Sequence, residues 1–458
     1  MNRIIRVCLA VLVFSLFGMC QAAPAPVDTG DPHTDRSLIR LDPPEQVAKR
    51  MEWFSDARFG MFIHWGLYAQ NGCHWRGQDG KSEHMMRHLQ IPLREYEKIA
   101  DEFDPEKFKA DEWVRIAKDA GMKYMIITAK HHDGFAMFNS KSSSYNVVVR
   151  TPFARDPIQE LADAARKQGL RFGVYYSLGR DWEDPDVPTR DGYRSNTWDY
   201  PDESKKDFAK YFERKVKPQI KELLTQYGPI SVLWFDTPEK ISRAQSEELI
   251  RLVHTLQPDC IVNQRVGNRL GDYRVAEQSI PEGGYPDPWE TCMTLNKHWG
   301  YYEGDENWKP TETLVRNLID IASKNGNFLL NVGPTGDGVI PAGSVERLKE
   351  VGLWMKVNGE AIYGTTGCPL KGLAWGRCTK KTTPGGATLY LHVFDWPKNG
   401  KLLIPALKNS VESATLLAGG VKLKTSAKDG ALTIALPATP PDKISSTIVL
   451  KVKGAPVI

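Results

Sequence analysis

Several residues able to do chemistry sit at the ends of apolar runs in this 458-residue chain. Asp236 closes Leu233-Trp234-Phe235-Asp236. A carboxylate behind two aromatic side chains costs free energy unless it is solvated, hydrogen-bonded or in use; capping a following helix is the competing explanation. Glu277 follows the short run Tyr273-Arg274-Val275-Ala276, and Glu290 lies slightly later in Pro288-Trp289-Glu290-Thr291. Two carboxylates facing one pocket are what glycoside hydrolysis needs. One attacks the sugar carbon; the other protonates the leaving oxygen and then activates water. For Glu290 an ion pair with a neighbouring Arg or Lys remains open.

His131 and His132 stand side by side in Lys130-His131-His132-Asp133-Gly134. Neighbours on a strand point to opposite faces, so they seldom share one metal ion. With no HExxH and no HxH, no metal site is expected. Where a strand bends into its loop, both imidazoles can reach sugar hydroxyls; the alternative puts one in the core and one at the surface. Trp65, Trp75, Tyr176, Trp234, Trp289 and Trp299 add aromatic surface. The C–H faces of sugars stack on such rings, although Trp75 and Trp299 also suit a core.

The elements that must position these residues alternate. Apolar strands are expected at 58–66, 123–129, 172–177, 231–236, 260–265, 273–276 and 327–333. Helical spacing marks 110–120, 157–168, 207–226, 247–256 and 311–324. Such alternation implies parallel βα units, and its extent fits a TIM-like (β/α) barrel. No GxGxxG or P-loop follows any strand, which argues against an open nucleotide-binding sheet. In a barrel, functional residues lie just past the C-terminal ends of strands. His64, Trp65, His131, His132, Tyr175, Tyr176, Asp236, Arg265 and Glu277 all fall there. After about residue 366 short alternating runs separated by Gly, Pro and Lys replace this pattern and predict an antiparallel β-sandwich. The expected division is a signal peptide over 1–22, a catalytic barrel with an N-terminal lead-in over 23–366, and a sandwich over 367–458.

The signal-peptide expectation rests on basic Arg3 and Arg6, an apolar run from Val7 to Met19, and small residues at Ala22 and Ala23. It predicts a periplasmic or secreted enzyme. Lipidation at Cys20 is disfavoured by Met19 before it. No later run is long enough to span a membrane. Net charge is +4 with no long basic block, which argues against nucleic acid as partner. Cys73, Cys260, Cys292, Cys368 and Cys378 would survive signal removal, too scattered for a disulfide framework. Cys368 and Cys378 could pair in an exported protein; independent thiols are the other expectation.

Phe62-Ile63-His64-Trp65-Gly66, Lys130-His131-His132-Asp133-Gly134-Phe135, Leu233-Trp234-Phe235-Asp236, Asn327-Phe328-Leu329-Leu330-Asn331-Val332-Gly333-Pro334 and Val357-Asn358-Gly359-Glu360-Ala361-Ile362-Tyr363 together resemble the α-L-fucosidases of glycoside hydrolase family 29. The likeness extends over about residues 40–455. It implies a retaining exo-enzyme acting on fucosylated oligosaccharides or glycoconjugates, built as a barrel and a β-sandwich, with no cofactor. It implies no nucleic-acid or membrane partner and leaves oligomeric state open. By resemblance Asp236 matches the nucleophile. His64, His131, His132, Tyr176, Trp234 and Arg265 match positions that hold fucose, and Trp65 joins them in the first motif. Glu83 resembles a pocket Glu, with His84 where the family often has Trp. Arg265 lies in Asn263-Gln264-Arg265 where many members read Asn-Asp-Arg. Glu277 matches one site used for the acid/base and Glu290 a second; Glu277 is preferred because it follows a strand directly. A sugar-binding protein built on an inactive barrel and a retaining glycosidase for another sugar are the competing functions.

Overall fold

The computed structural model describes residues 37–428 and 431–458, so the expected signal peptide lies outside the described residues. Eight parallel strands form the central sheet: β1 Phe59–Ile63, β2 Tyr124–Lys130, β3 Arg171–Ser177, β4 Val232–Asp236, β5 Ile261–Val262, β6 Arg274–Glu277, β7 Trp289–Thr294 and β8 Gly326–Val332. Each neighbours the next in sequence, and β8 pairs with β1 in parallel. An Asn263–Tyr273 bridge joins β5 to β6 and completes the circuit. The fold is therefore a TIM-like barrel followed by antiparallel sheets.

Helices Ala110–Asp119, Pro157–Gln168, Lys217–Gln226, Arg243–Leu256 and Thr311–Ser323 cover the outside between strands. Their caps are legible in sequence. Asp156 accepts from the backbone N–H of Gln159, and Gly169 ends that helix at φ 79°. The expected helix over 207–226 is interrupted: Phe208–Tyr211 is followed by a π turn, Phe212–Val216, before Lys217–Gln226. Pro218 lies just past the π turn. It has no N–H and its ring crowds the preceding turn, so a widened turn there relieves the conflict.

Side chains at alternate positions fill the barrel, among them Phe62, Tyr124, Ile126, Tyr175, Val232, Trp234, Tyr273, Cys292 and Leu329. Val47, Met51 and Phe54 of the helix Pro44–Ala57 pack into the same cluster and close one end. The other end, where the strands finish, carries the polar residues. Beyond the helix Ala342–Asn358, a five-stranded and a three-stranded antiparallel sheet enclose Leu389, Leu391, Leu402, Ile404, Ile434, Ile448 and Leu450. Trp354 Nε1 donates to Ser445 O at 3.1 Å, and Thr379 Oγ1 to Ala361 O at 2.7 Å, fixing this domain to the barrel.

Candidate active site

Register decides which side chains meet at the barrel mouth. Strands β3 and β4 pair Tyr175 with Trp234 and Ser177 with Asp236, so these four share the inward face. Tyr175 donates its O–H to Asp236 Oδ2 at 2.8 Å. Arg265, from the turn after β5, donates from Nη1 to Asp236 Oδ1 at 2.7 Å and from Nη2 to Glu277 Oε2 at 2.6 Å. One guanidinium thus holds two carboxylates from strands two apart. Its carbon lies 5.0 Å from the centre of the Trp234 ring, which forms a floor beneath the pair.

The chain turns sharply after Asp236. Thr237 adopts φ 50° and donates its N–H to Asp236 Oδ1 at 2.8 Å. A β-branched residue rarely takes this conformation, and such strain persists only where its surroundings enforce it. Burial pushes the Asp236 carboxyl up in pKa; the Arg265 guanidinium, the Tyr175 hydroxyl and the field of Arg180 more than offset it. The carboxyl ends below its ordinary value and is ionised at neutral pH. Its side chain retains 14% exposure, enough to meet a ligand.

Both adjacent histidines enter the site because β2 slips register between Thr128 and Lys130. The extra residue re-aims the strand end, and the His131 and His132 rings lie 4.2 Å apart. His131 stacks on Tyr175 at 5.2 Å and 8°, and His64 stands 5.5 Å from His131. Burial holds all three imidazoles below their ordinary pKa, so they are neutral at pH 7. Hydrogen bonds then fix two tautomers. Asn331 Nδ2 donates to Trp299 O at 2.8 Å, which turns Oδ1 to accept from His64 Nδ1 at 2.7 Å. Ser177 Oγ donates to Arg180 O at 2.7 Å and so accepts from His132 Nδ1 at 2.6 Å. Nε2 of each ring is left as an acceptor. His132 Nε2 faces Asp236 Oδ2 at 3.9 Å, two acceptors that a ligand hydroxyl can bridge.

Glu83 is buried beside the histidines. It accepts from Gly300 N at 3.2 Å, pairs with His84 Nδ1 at 3.2 Å and receives the Ser82 hydroxyl. Burial opposes its ionisation, but the hydrogen bond with His84 holds the carboxyl well below its usual range. His84 lies 5.3 Å from His132 with the rings tilted by 35°, and Trp182 closes over both rings at 5.9 and 5.6 Å.

Three residues expected in the pocket lie elsewhere. Tyr176 faces outward: its O–H donates to Gln219 Oε1 at 2.7 Å beneath the helices, and Lys130 Nζ lies 4.5 Å over its ring. Tyr175 takes the inward place, because a one-residue shift along a strand exchanges faces. Trp65 packs on Phe108 and Trp113 at 5.3 and 5.0 Å, with Nε1 bound to Thr335 O. Glu290 lies below the barrel mouth. It is the second residue of β7, 0% exposed inside the barrel, accepting from Trp234 Nε1 at 3.0 Å and from the Tyr124 hydroxyl. Burial raises its pKa to about 7. Glu277, by contrast, ends β6 with its side chain 41% exposed. Tyr175, Asn331, Trp182 and Trp299 complete the pocket. Their sequence signals were a strand-end tyrosine, an Asn in an apolar strand and isolated tryptophans, none of which fixes a direction. Among the described residues no group of three or more His, Cys, Asp or Glu side chains is arranged to hold a metal ion.

Comparison with known proteins places this geometry. The α-L-fucosidase family profile matches residues 40–360. The human tissue α-L-fucosidase is 30% identical over 431 residues, covering 88% of each chain. The structure of α-L-fucosidase isoenzyme 1 from Paenibacillus thiaminolyticus is 36% identical, with a TM-score of 0.82 over 89% of this chain and 100% of that one. A family 29 α-L-fucosidase from Bacteroides thetaiotaomicron, described as a trapped covalent intermediate with 2-fluoro-fucosyl fluoride, is 27% identical with a TM-score of 0.80, covering 92% of this chain and 98% of that one. A strand-end carboxylate clasped by arginine, a wall of neutral histidines and these matches lead to one assignment: the chain belongs to the α-L-fucosidases of glycoside hydrolase family 29.

Proposed function

We propose that this hydrolase removes terminal α-L-fucosyl residues from oligosaccharides or glycoconjugates by double displacement. Asp236 Oδ attacks the anomeric carbon while Glu277 gives its proton to the departing glycosidic oxygen. The C–O bond to the aglycone breaks as an ester to Asp236 forms. Glu277, now a carboxylate, takes a proton from water; the resulting hydroxide attacks the same carbon and releases fucose and Asp236. The observation that carries this reading is the single guanidinium of Arg265 bound to both carboxylates. Retaining glycosidases hold the pair about 5–5.5 Å apart, whereas inverting ones need about 6.5–9.5 Å to admit a water between. A carboxylate pair within the span of one guanidinium suits the former. The trapped intermediate of the Bacteroides relative supports the same course.

His64 and His132, each with an acceptor Nε2, and His131 beside them would hold the fucose hydroxyls. Trp234 and Trp299 offer faces to its C–H side. The basic, apolar start of the chain supports export to the periplasm or beyond, and N-terminal sequencing of the processed protein checks that. The catalytic reading is tested with nitrophenyl glycosides of L-fucose, D-galactose and D-glucose, following the first-formed sugar anomer by NMR. Cleavage of the fucoside with initial release of the α-anomer is expected. Initial β-anomer would replace double displacement with inversion. Cleavage of another sugar would move the substrate class, and fucose binding without turnover would make the chain a lectin.

A further inference from the structure

Just outside the histidine wall, three arginines from the loop after β3 and one from the segment after β1 gather around Glu239, from the loop after β4. Arg180 donates from Nε and Nη2 to Glu239 Oε1 at 2.8 and 2.7 Å. Arg190 reaches Glu239 O at 3.1 Å, and Arg194 approaches Asp191 at 3.4 Å and Glu239 at 3.8 Å. Arg87, one turn after His84, points into the same cluster. It has no ion pair among the described residues, and its Nε is buried without a partner. Its neighbours are Arg180 and Arg194, which together with burial disfavour its charge. Like charges gathered this closely are costly without counter-ions, and Glu239 and Asp191 stand among them. Beside them Tyr193 leaves 59% of its surface exposed. Arg194 and Arg87 lie 5.2 and 6.0 Å from its ring.

The rim is tied to the catalytic strand ends. Leu178 N and Gly179 N donate to Asp236 O and Thr237 O at 2.9 and 2.8 Å. Ser177 bridges Arg180 O to His132. Arg180 stands close enough to Asp236 to help hold its carboxyl ionised, so the rim borders the place where the glycosidic bond breaks and the next sugar begins. A guanidinium presents paired N–H donors that match an oxyanion, and an exposed Tyr face suits a pyranose ring.

We propose that Arg87, Arg180, Arg194 and Tyr193 form a subsite for an oxyanion, a sulfate ester or a carboxylate, carried by the sugar next to the fucose. The proposal rests on the fucosidase reading. It is tested by inhibition of nitrophenyl α-L-fucoside cleavage by fucosyl-galactose, by its regioisomeric monosulfates, and by the matching fucosyl-galacturonic acid. The wild type is expected to bind at least one anionic probe about tenfold more tightly than the neutral one, the scale of one or two charged hydrogen bonds. That preference should shrink as salt rises. It should collapse toward unity in Arg87→Gln and be partly kept in Arg87→Lys. The sulfate and carboxylate arms identify the anion's source. Equal inhibition by all probes in the wild type overturns the subsite, and that arm depends on no variant folding. A preference unchanged in Arg87→Gln also overturns it, because the anion is then held elsewhere. If the nitrophenyl fucoside is not cleaved, the fucosidase reading falls instead, and the same probes titrated by calorimetry decide the subsite separately.

Discussion

Tyr175 and Asp236 meet across adjacent parallel strands, the phenolic O–H donating to Oδ2 at 2.8 Å. Register brings them together: Ser177 pairs with Asp236, and Tyr175 stands one inward position below it. Burial and the charge of Asp236 hold the phenol protonated far above neutrality, so it acts only as a donor. Tyr175→Phe should therefore lower kcat by about ten- to a hundredfold, the scale of one hydrogen bond to a charged group. Tyr176→Phe should leave kcat near normal and cost about 1–3 kcal/mol of stability, because Gln219 Oε1 loses a buried donor. Steady-state kinetics and denaturant melts of the pair check this; a larger kcat loss for Tyr176→Phe would reverse the assignment.

Asp236→Gly should cost several orders of magnitude in kcat, each factor of ten being about 1.4 kcal/mol of barrier. Added azide should restore turnover by entering the vacated space, giving the β-fucosyl azide. Near-normal activity without azide would remove Asp236 from the nucleophile's role.

The two glutamates should separate by leaving group. Glu277→Ala is expected to damage hydrolysis of a natural fucosyl disaccharide far more than that of a dinitrophenyl fucoside, which leaves without protonation. The basic limb of its pH–rate profile should flatten. Glu290→Ala should reduce all substrates alike, since Glu290 touches Trp234 and Tyr124 beneath the floor rather than the pocket. The selective pattern in Glu290→Ala alone would exchange their roles.

Glu290 also sets a pH dependence of stability. Its folded pKa, raised by burial to about 7, exceeds the ordinary 4.5. Between those values the unfolded chain has released this proton and the native state keeps it. The unfolded state therefore binds fewer protons, and stability falls as pH rises. The loss begins near pH 4.5, is complete above about pH 7, and amounts to about 3 kcal/mol from this group. Glu290→Gln should flatten that part of the profile, measured by urea melts from pH 4 to 8. An unchanged slope would place the titration elsewhere.

Gly179 lets the β3 loop lie against the turn after Asp236, where an added Cβ would press on the carbonyl oxygens of Thr237 and Pro238. Gly179→Ala should shift Thr237, and with it the Asp236 carboxylate, and lower kcat by more than tenfold while the protein stays folded. Circular dichroism with kinetics checks this; unchanged kcat would show that the turn tolerates displacement.

Much of this site was written in the sequence. Apolar strands alternating with amphipathic helices are a local, periodic signal, and they located the barrel and placed Asp236, His131, His132 and Glu277 at strand ends. The change to short alternating runs marked the antiparallel sheets. The sequence could not set strand direction of face at the mouth. Tyr175 and Tyr176 are chemically alike and adjacent, and only the register with β4 turned the first inward. Nor could it show that β2 slips a residue after Thr128, which brings both histidines to one pocket. Trp289-Glu290-Thr291 carried no clear strand pattern, because a strand buried on both faces has no polar alternation to betray it. Closure of the barrel made it β7 and drew Glu290 into the interior. Residue chemistry and periodicity are properties of the chain; which neighbour each side chain meets depends on pairing between distant strands, and tertiary structure alone decides that.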